Sequence, residues 1–122
     1  MQSLNLVHQL LDDTYNPPSK SGTYSLKHSM HGNRVILKYS TIVHFASEKS
    51  LAPQVEVARD QARQLMKERV GKLKKEFKQK TDSPLKYDDI GEQDNVELIQ
   101  STSNSPRKVA YYRYTQTLDI KD

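Results

Sequence analysis

The sequence predicts an α+β domain in which one long amphipathic helix packs on an antiparallel sheet made of two β-hairpins. Between Pro53 and Lys80, apolar residues recur at three- and four-residue steps, the spacing of one buried helix face. On both sides of that segment the apolar period changes to two, as in strands with one buried face. At 122 residues the chain can build one hydrophobic core, so residues 1–122 are predicted to form a single domain.

The first predicted elements are a short helix and a hairpin. Leu4 to Leu11 carries apolar residues at helical spacing, and Asn16-Pro17-Pro18 should end that helix. From Thr23, apolar and polar residues alternate up to a turn at His31-Gly32-Asn33. A long second strand is predicted from Val35 to Phe45.

The central helix is predicted over Pro53 to Lys80. Ser50 is a candidate cap, and Pro53 would lie in the first turn, where its missing N–H costs nothing. Gly71 lies inside the helix, where it costs up to about 1 kcal/mol relative to alanine and suggests a bend or a close crossing. The predicted buried face consists of Val55, Ala58, Ala62, Leu65, Met66, Val70, Leu73 and Phe77.

A polar connector and a second hairpin complete the prediction. Thr81 to Asn95 is interpreted as the connector, with a solvated acidic cluster of Asp88, Asp89, Glu92 and Asp94. A short strand at Val96 to Ile99, a loop at Ser101 to Arg107 and a closing strand at Ala110 to Ile120 follow. The predicted order is α-β-β-α-β-β, with a short N-terminal helix before the first hairpin.

Charge is unevenly distributed along the chain. Residues 59–80 hold nine basic and three acidic residues, whereas the whole chain has a net charge of only +4. Such a two-sided protein is expected to bind another copy of itself or a polyanion. The candidate basic face, for a partner or nucleic acid, consists of Arg63, Lys67, Lys74, Lys75 and Lys78.

Apolar residues on the second face of the strands indicate a subunit interface. The hydrophobic fraction of 34% is low, as expected either for a monomer with a modest core or for a domain that completes its core against a neighbouring chain. In the second strand Ile36 and Ile42 lie on the face opposite Leu37, and in the last strand Tyr111 and Arg113 face outward. We therefore expect Ile36, Ile42, Tyr111 and Arg113 at contacts in a homo-oligomer or a larger particle.

No pattern of residues predicts catalysis, a cofactor or a metal. The chain has no cysteine, no glycine-rich phosphate loop and no nucleophile elbow. His28 and His31 would point to opposite faces of a strand, and His8 and His44 have no ligand-like neighbours. No segment approaches the roughly 20 apolar residues that span a bilayer, so we expect no membrane partner and synthesis in a cytoplasm.

Two interpretations of function stay open. The first is a non-enzymatic assembly subunit, and the second is a small basic protein that binds nucleic acid. The run Tyr111 to Tyr114 could add aromatic stacking on bases, although alternation directs Tyr112 and Tyr114 to the core.

The order of elements resembles the small tail-terminator or tail-completion (head–tail joining) proteins of tailed bacteriophages. The resemblance rests on Leu4 to Leu11, Tyr24 to Phe45, Pro53 to Phe77 and Val109 to Ile120. It implies a non-enzymatic ring subunit of the virion, most often hexameric, that caps the tail tube and joins it to the head. In that setting the basic side chains would face DNA or an acidic neighbour.

Overall fold

The computed structural model of the chain describes residues 2–13, 24–99 and 108–121. The elements are α1 (Gln2–Asp13), β1 (Tyr24–His31), β2 (Arg34–Phe45), α2 (Glu48–Thr81), β3 (Lys86–Ile99) and β4 (Lys108–Lys121). The predicted class and the predicted order α-β-β-α-β-β are confirmed. The predicted helix stop at Asn16-Pro17-Pro18 and the predicted loop over 101–107 lie outside the described residues.

The four strands form one antiparallel sheet in the order β1-β2-β4-β3. The last strand, β4, therefore lies between β2 and β3 and pairs with both. Tyr39 of β2 is in register with Leu26 of β1 and with Tyr114 of β4. Because side chains alternate between faces, these three residues share the face on which the helices lie.

The turn between β1 and β2 contains Gly32 with φ of 60°, a backbone region that glycine adopts without strain.

The core lies between this sheet face and α2, and α1 closes one end of it. The helix residues Leu73 and Phe77 are buried, as predicted, together with the strand residues Leu37, Tyr39, Val43, Tyr112 and Leu118. Leu65 is only half-buried, and it packs against the edge of the same cluster. Val7, Leu10 and Leu11 of α1 are buried as well. None of the described helices is long and apolar enough to cross a membrane.

The central helix begins earlier than the sequence predicts. It starts at Glu48, so Pro53 lies beyond the first turn, and Ser47 rather than Ser50 is the cap. The Oγ atom of Ser50 accepts a hydrogen bond from the Ser47 N–H at 3.1 Å and donates one to the Ser47 carbonyl at 2.8 Å. These bonds satisfy backbone groups at the helix start and explain the extra turn. A Cβ at Gly71 would meet nothing within 4 Å, so no close crossing requires this glycine.

Most of the predicted polar connector, Thr81 to Asn95, is instead part of a long edge strand. β3 covers Lys86–Ile99 and pairs with β4 along its length, so the acidic cluster lies in a strand. A bulge between Asp89 and Gly91 shifts the register, which places Asp89 opposite Leu118 and Glu92 opposite Gln116. Both acidic residues therefore share the helix-facing side of the sheet, where the sequence pattern predicts apolar residues in a strand.

Candidate functional site

The face of the sheet opposite the helices carries the predicted interface residues, and we call it the open face. No described element packs on this side, which presents the outward residues of all four strands. Ile42 is 46% exposed, Ile36 and Tyr111 are half-buried, and Arg113 is exposed. All four predicted interface residues thus lie on one face, as the alternation predicts.

Ile42 and Tyr111 form the apolar centre of the open face. They are register partners on β2 and β4, so their side chains are direct cross-strand neighbours. The guanidinium carbon of Arg113 lies 4.7 Å from the centroid of the Tyr111 ring, a cation–π contact. Arg113 also lies 3.9 Å from the carboxylate of Glu97 on β3. Tyrosine and arginine are residue types that are enriched in protein interfaces.

The predicted basic face of α2 divides into two parts. Lys67, Lys74, Lys75 and Lys78 are exposed, and the Lys74 Nζ atom lies 5.9 Å from the centroid of the Tyr87 ring. Arg63 instead turns toward β3, where its Nε donates to Glu92 Oε1 at 3.1 Å. The lysines therefore remain available to a partner, whereas Arg63 has an intramolecular one.

Arg63 belongs to a ladder of ion pairs between α2 and β3. One rung joins Arg63 to Glu92, and Glu92 also accepts a hydrogen bond from the Tyr114 hydroxyl. In the other rung, Asp94 Oδ2 accepts from Arg59 Nε at 2.7 Å and from the Tyr112 hydroxyl at 2.9 Å. The sequence predicts a solvated acidic cluster, whereas two of its members, Glu92 and Asp94, bind the chain's own helix.

The ladder shifts the ionisation of its members. The hydrogen bond from Arg63, and to a smaller extent the one from Tyr114, lowers the pKa of Glu92. The hydrogen bond from Arg59 lowers the pKa of Asp94. Burial, followed by hydrogen bonding to these carboxylates, raises the pKa of Tyr112 and of Tyr114. The ladder therefore holds charged carboxylates beside neutral phenols at neutral pH.

A cleft of about 500 Å³ runs beside the ladder, between α2 and the strands β3 and β4. On the α2 side the cleft is lined by Lys67, Lys74 and Gly71, which has no side chain. On the strand side it is lined by Tyr87 and Gln116. This cleft extends the basic face toward the sheet.

A second cluster joins α1, β1 and α2. The Nε2 atoms of His8 and His28 lie 3.0 and 2.8 Å from the two carboxylate oxygens of Asp12. The Nη2 atom of Arg69 lies 3.4 Å from Nδ1 of His28. The expectation that His8 has no ligand-like neighbours is therefore wrong, because α1 packs beside β1 and brings two histidines to one carboxylate. His44 is exposed on the open face, away from this cluster.

Sequence reasoning missed both clusters for the same reason: their partners are far apart in the chain. The four-residue steps from Arg59 to Arg63 and from His8 to Asp12 are visible signals, because such pairs share one helix face. Their partners on β1 and β3 become evident only with the packing of the helices on the sheet.

No protein-family model matches this chain, and neither a curated protein nor a solved structure is found to be similar to it.

Proposed function

We propose that the protein is a non-enzymatic assembly subunit that binds a further copy of itself through the open face of the sheet. The cross-strand pair of the exposed Ile42 and the half-buried Tyr111 carries this proposal. Apolar surface removed from water contributes about 25 cal/mol per Å², so covering this centre would favour association. A two-fold dimer uses the same patch on both copies, which one apolar centre per chain can supply. A ring of more subunits pairs this patch with a different surface of the neighbouring copy.

The charged surroundings of that centre support a protein partner. Arg113 lies over Tyr111 and beside Glu97, so both signs of charge flank the apolar pair. Mixed charges around an apolar centre set the orientation of a partner and disfavour wrong ones. A surface built for a polyanion would carry one sign of charge.

We extend this proposal to a ring-forming tail or neck subunit of a tailed-bacteriophage virion. The extension is supported by the order of elements, which is the feature that resembles the tail-terminator and tail-completion proteins. A four-stranded sheet with helices on one face leaves the other face for neighbouring subunits.

The oligomeric state tests the proposal. We expect the wild-type chain to form a concentration-dependent oligomer in light scattering coupled to size exclusion. Ile42→Lys should shift it to the monomer without unfolding it, because Ile42 lies at the surface. Val57→Lys is the matched control, since Val57 is 65% exposed on α2 and away from the open face. A wild-type chain that stays monomeric at high concentration would contradict self-association.

Binding of nucleic acid is the second candidate, favoured by the four exposed lysines on one side of α2. Lysines that contact phosphates release counterions, so such binding weakens steeply with salt. Titration of short single- and double-stranded DNA at two salt concentrations separates the candidates. Micromolar or tighter binding at physiological salt would favour this function over assembly.

A further inference from the structure

We propose that His8, Asp12 and His28 form a binding site for a divalent transition-metal ion such as Zn²⁺, and that Arg69 limits its affinity. His8 and Asp12 are four residues apart on α1 and so share one helix face, while His28 comes from β1. One ligand atom from each residue can be chosen so that all three lie within 4.8 Å of one another. Ligands about 2.0–2.2 Å from a tetrahedral Zn²⁺ lie about 3.3–3.6 Å apart, so the three side chains would readjust around the ion.

The donor set selects the class of metal. Two imidazole nitrogens and one carboxylate oxygen suit Zn²⁺ and its neighbours, whereas Mg²⁺ and Ca²⁺ prefer oxygen ligands alone. The His28 side chain is only 12% exposed, so packing restricts its ring, while those of His8 and Asp12 are 52% and 56% exposed. An open depression of about 540 Å³ adjoins the three side chains and gives water access to the remaining coordination positions.

Arg69 acts against the metal through the other nitrogen of His28. A guanidinium can only donate hydrogen bonds, so Nδ1 of His28 accepts from Arg69 and the proton stays on Nε2. Binding of a metal at Nε2 moves that proton to Nδ1 and breaks the contact with Arg69. The positive charge of Arg69 also repels the ion, since both lie beside the same ring. Removing the guanidinium should therefore tighten binding.

Calorimetric titration of the full chain with Zn²⁺, and in parallel with Mg²⁺, tests the site. The chain should carry no histidine tag, because a tag would bind Zn²⁺ itself. We expect one Zn²⁺ per chain and no binding of Mg²⁺. Loss of a direct ligand in His8→Ala or Asp12→Asn should weaken the affinity by about tenfold or more, at least as much as loss of an outer-shell partner does. His44→Ala should bind like the wild type, because His44 is exposed on the open face.

The variants also define what would overturn the proposal. Absence of saturable Zn²⁺ binding would overturn it, as would an equal loss of affinity in His8→Ala and His44→Ala. His8 is exposed, so its replacement leaves the core intact and keeps the comparison interpretable. Arg69→Met should bind Zn²⁺ more tightly than the wild type. An unchanged or lower affinity in that variant would overturn the role assigned to Arg69.

Discussion

At the scale of single residues, Arg69 is the side chain that fits its surroundings least. It is 8% exposed, and its Nε and Nη1 atoms have no hydrogen-bond partner among the described residues. Burial lowers the pKa of its guanidinium, because a charge is less stable away from water. Its one polar contact in the described part of the chain is the 3.4 Å approach to His28.

Replacing Arg69 with methionine should therefore stabilise the metal-free protein. Methionine keeps much of the length of the side chain but has no donor to leave unsatisfied in the core. We expect the free energy of unfolding to rise by about 1–3 kcal/mol, measured by urea denaturation. Lys72→Met, at an exposed position of the same helix, should change it little. A destabilised Arg69→Met chain would show that the guanidinium has a strong partner.

Truncation of a core residue should have the opposite effect. Leu73 is 3% exposed, within the cluster that joins α2 to the sheet. Leu73→Ala should lower the free energy of unfolding by about 2–5 kcal/mol, because it removes packing and leaves a cavity. Val57→Ala, at a position 65% exposed, should have little effect on the melting temperature. Melting of Leu73→Ala like the wild type would contradict the burial of this face.

At the scale of elements, the pairing of α2 with β3 explains the charge pattern of the sequence. α2 carries the excess of positive charge, and β3 contains five acidic residues and one basic residue. The ladder joins the two through Arg59, Arg63, Glu92 and Asp94. Part of the two-sided charge is therefore compensated inside the domain, and only the lysines of α2 remain for a partner.

The ladder should make stability depend on acid pH. The pKa values of Glu92 and Asp94 are lowered in the folded state, first of all by hydrogen bonds from Arg63 and Arg59. Groups of this kind contribute stability above their unfolded pKa, about 4, and lose it as pH falls through the folded pKa. The free energy of unfolding should therefore fall as pH drops below about 5, measured by urea denaturation across the acid range.

Removing one carboxylate should weaken that dependence. Glu92→Gln should give a shallower fall of stability with acid than the wild type, because one of the groups that must be protonated is absent. In an Arg63→Met background the hydrogen bond that chiefly lowers the Glu92 pKa is gone, so Glu92→Gln should then change the slope less. Equal effects of Glu92→Gln in both backgrounds would show that Arg63 is not the cause.

The same pairing shows how far the sequence could predict the fold. β2 and α2 are evident because their buried positions are apolar at the right period, as at Leu37 and Leu73. β3 is hidden because Asp89, Glu92 and Asp94 occupy its helix-facing positions and a bulge interrupts its period. Glu92 and Asp94 are stabilised there by arginines about 30 residues away in the chain and by two tyrosine hydroxyls. The open-face residues could be predicted by alternation alone, whereas the histidine cluster needed the packing of α1 beside β1.

At the scale of the whole molecule, the open face and the lysines of α2 lie on opposite sides of the sheet. Self-association through the first surface should therefore be independent of the second. Exchanging Lys67, Lys75 and Lys78 for glutamate changes only exposed positions and should leave the fold intact. Lys74 is kept, because its amino group lies near the ring of Tyr87.

For an assembly subunit, the triple lysine variant should retain the wild-type oligomer in light scattering, whereas Ile42→Lys should not. Lys38→Glu is the matched charge reversal on the open face, where Lys38 is exposed on β2. For a protein that binds nucleic acid, the triple variant should instead lose affinity for all DNA sequences. Its salt dependence should become shallower by about one unit of slope for each phosphate contact removed. Loss of the oligomer in the triple variant, with Ile42→Lys unaffected, would contradict the proposed use of the open face and move the interface to the basic side of α2.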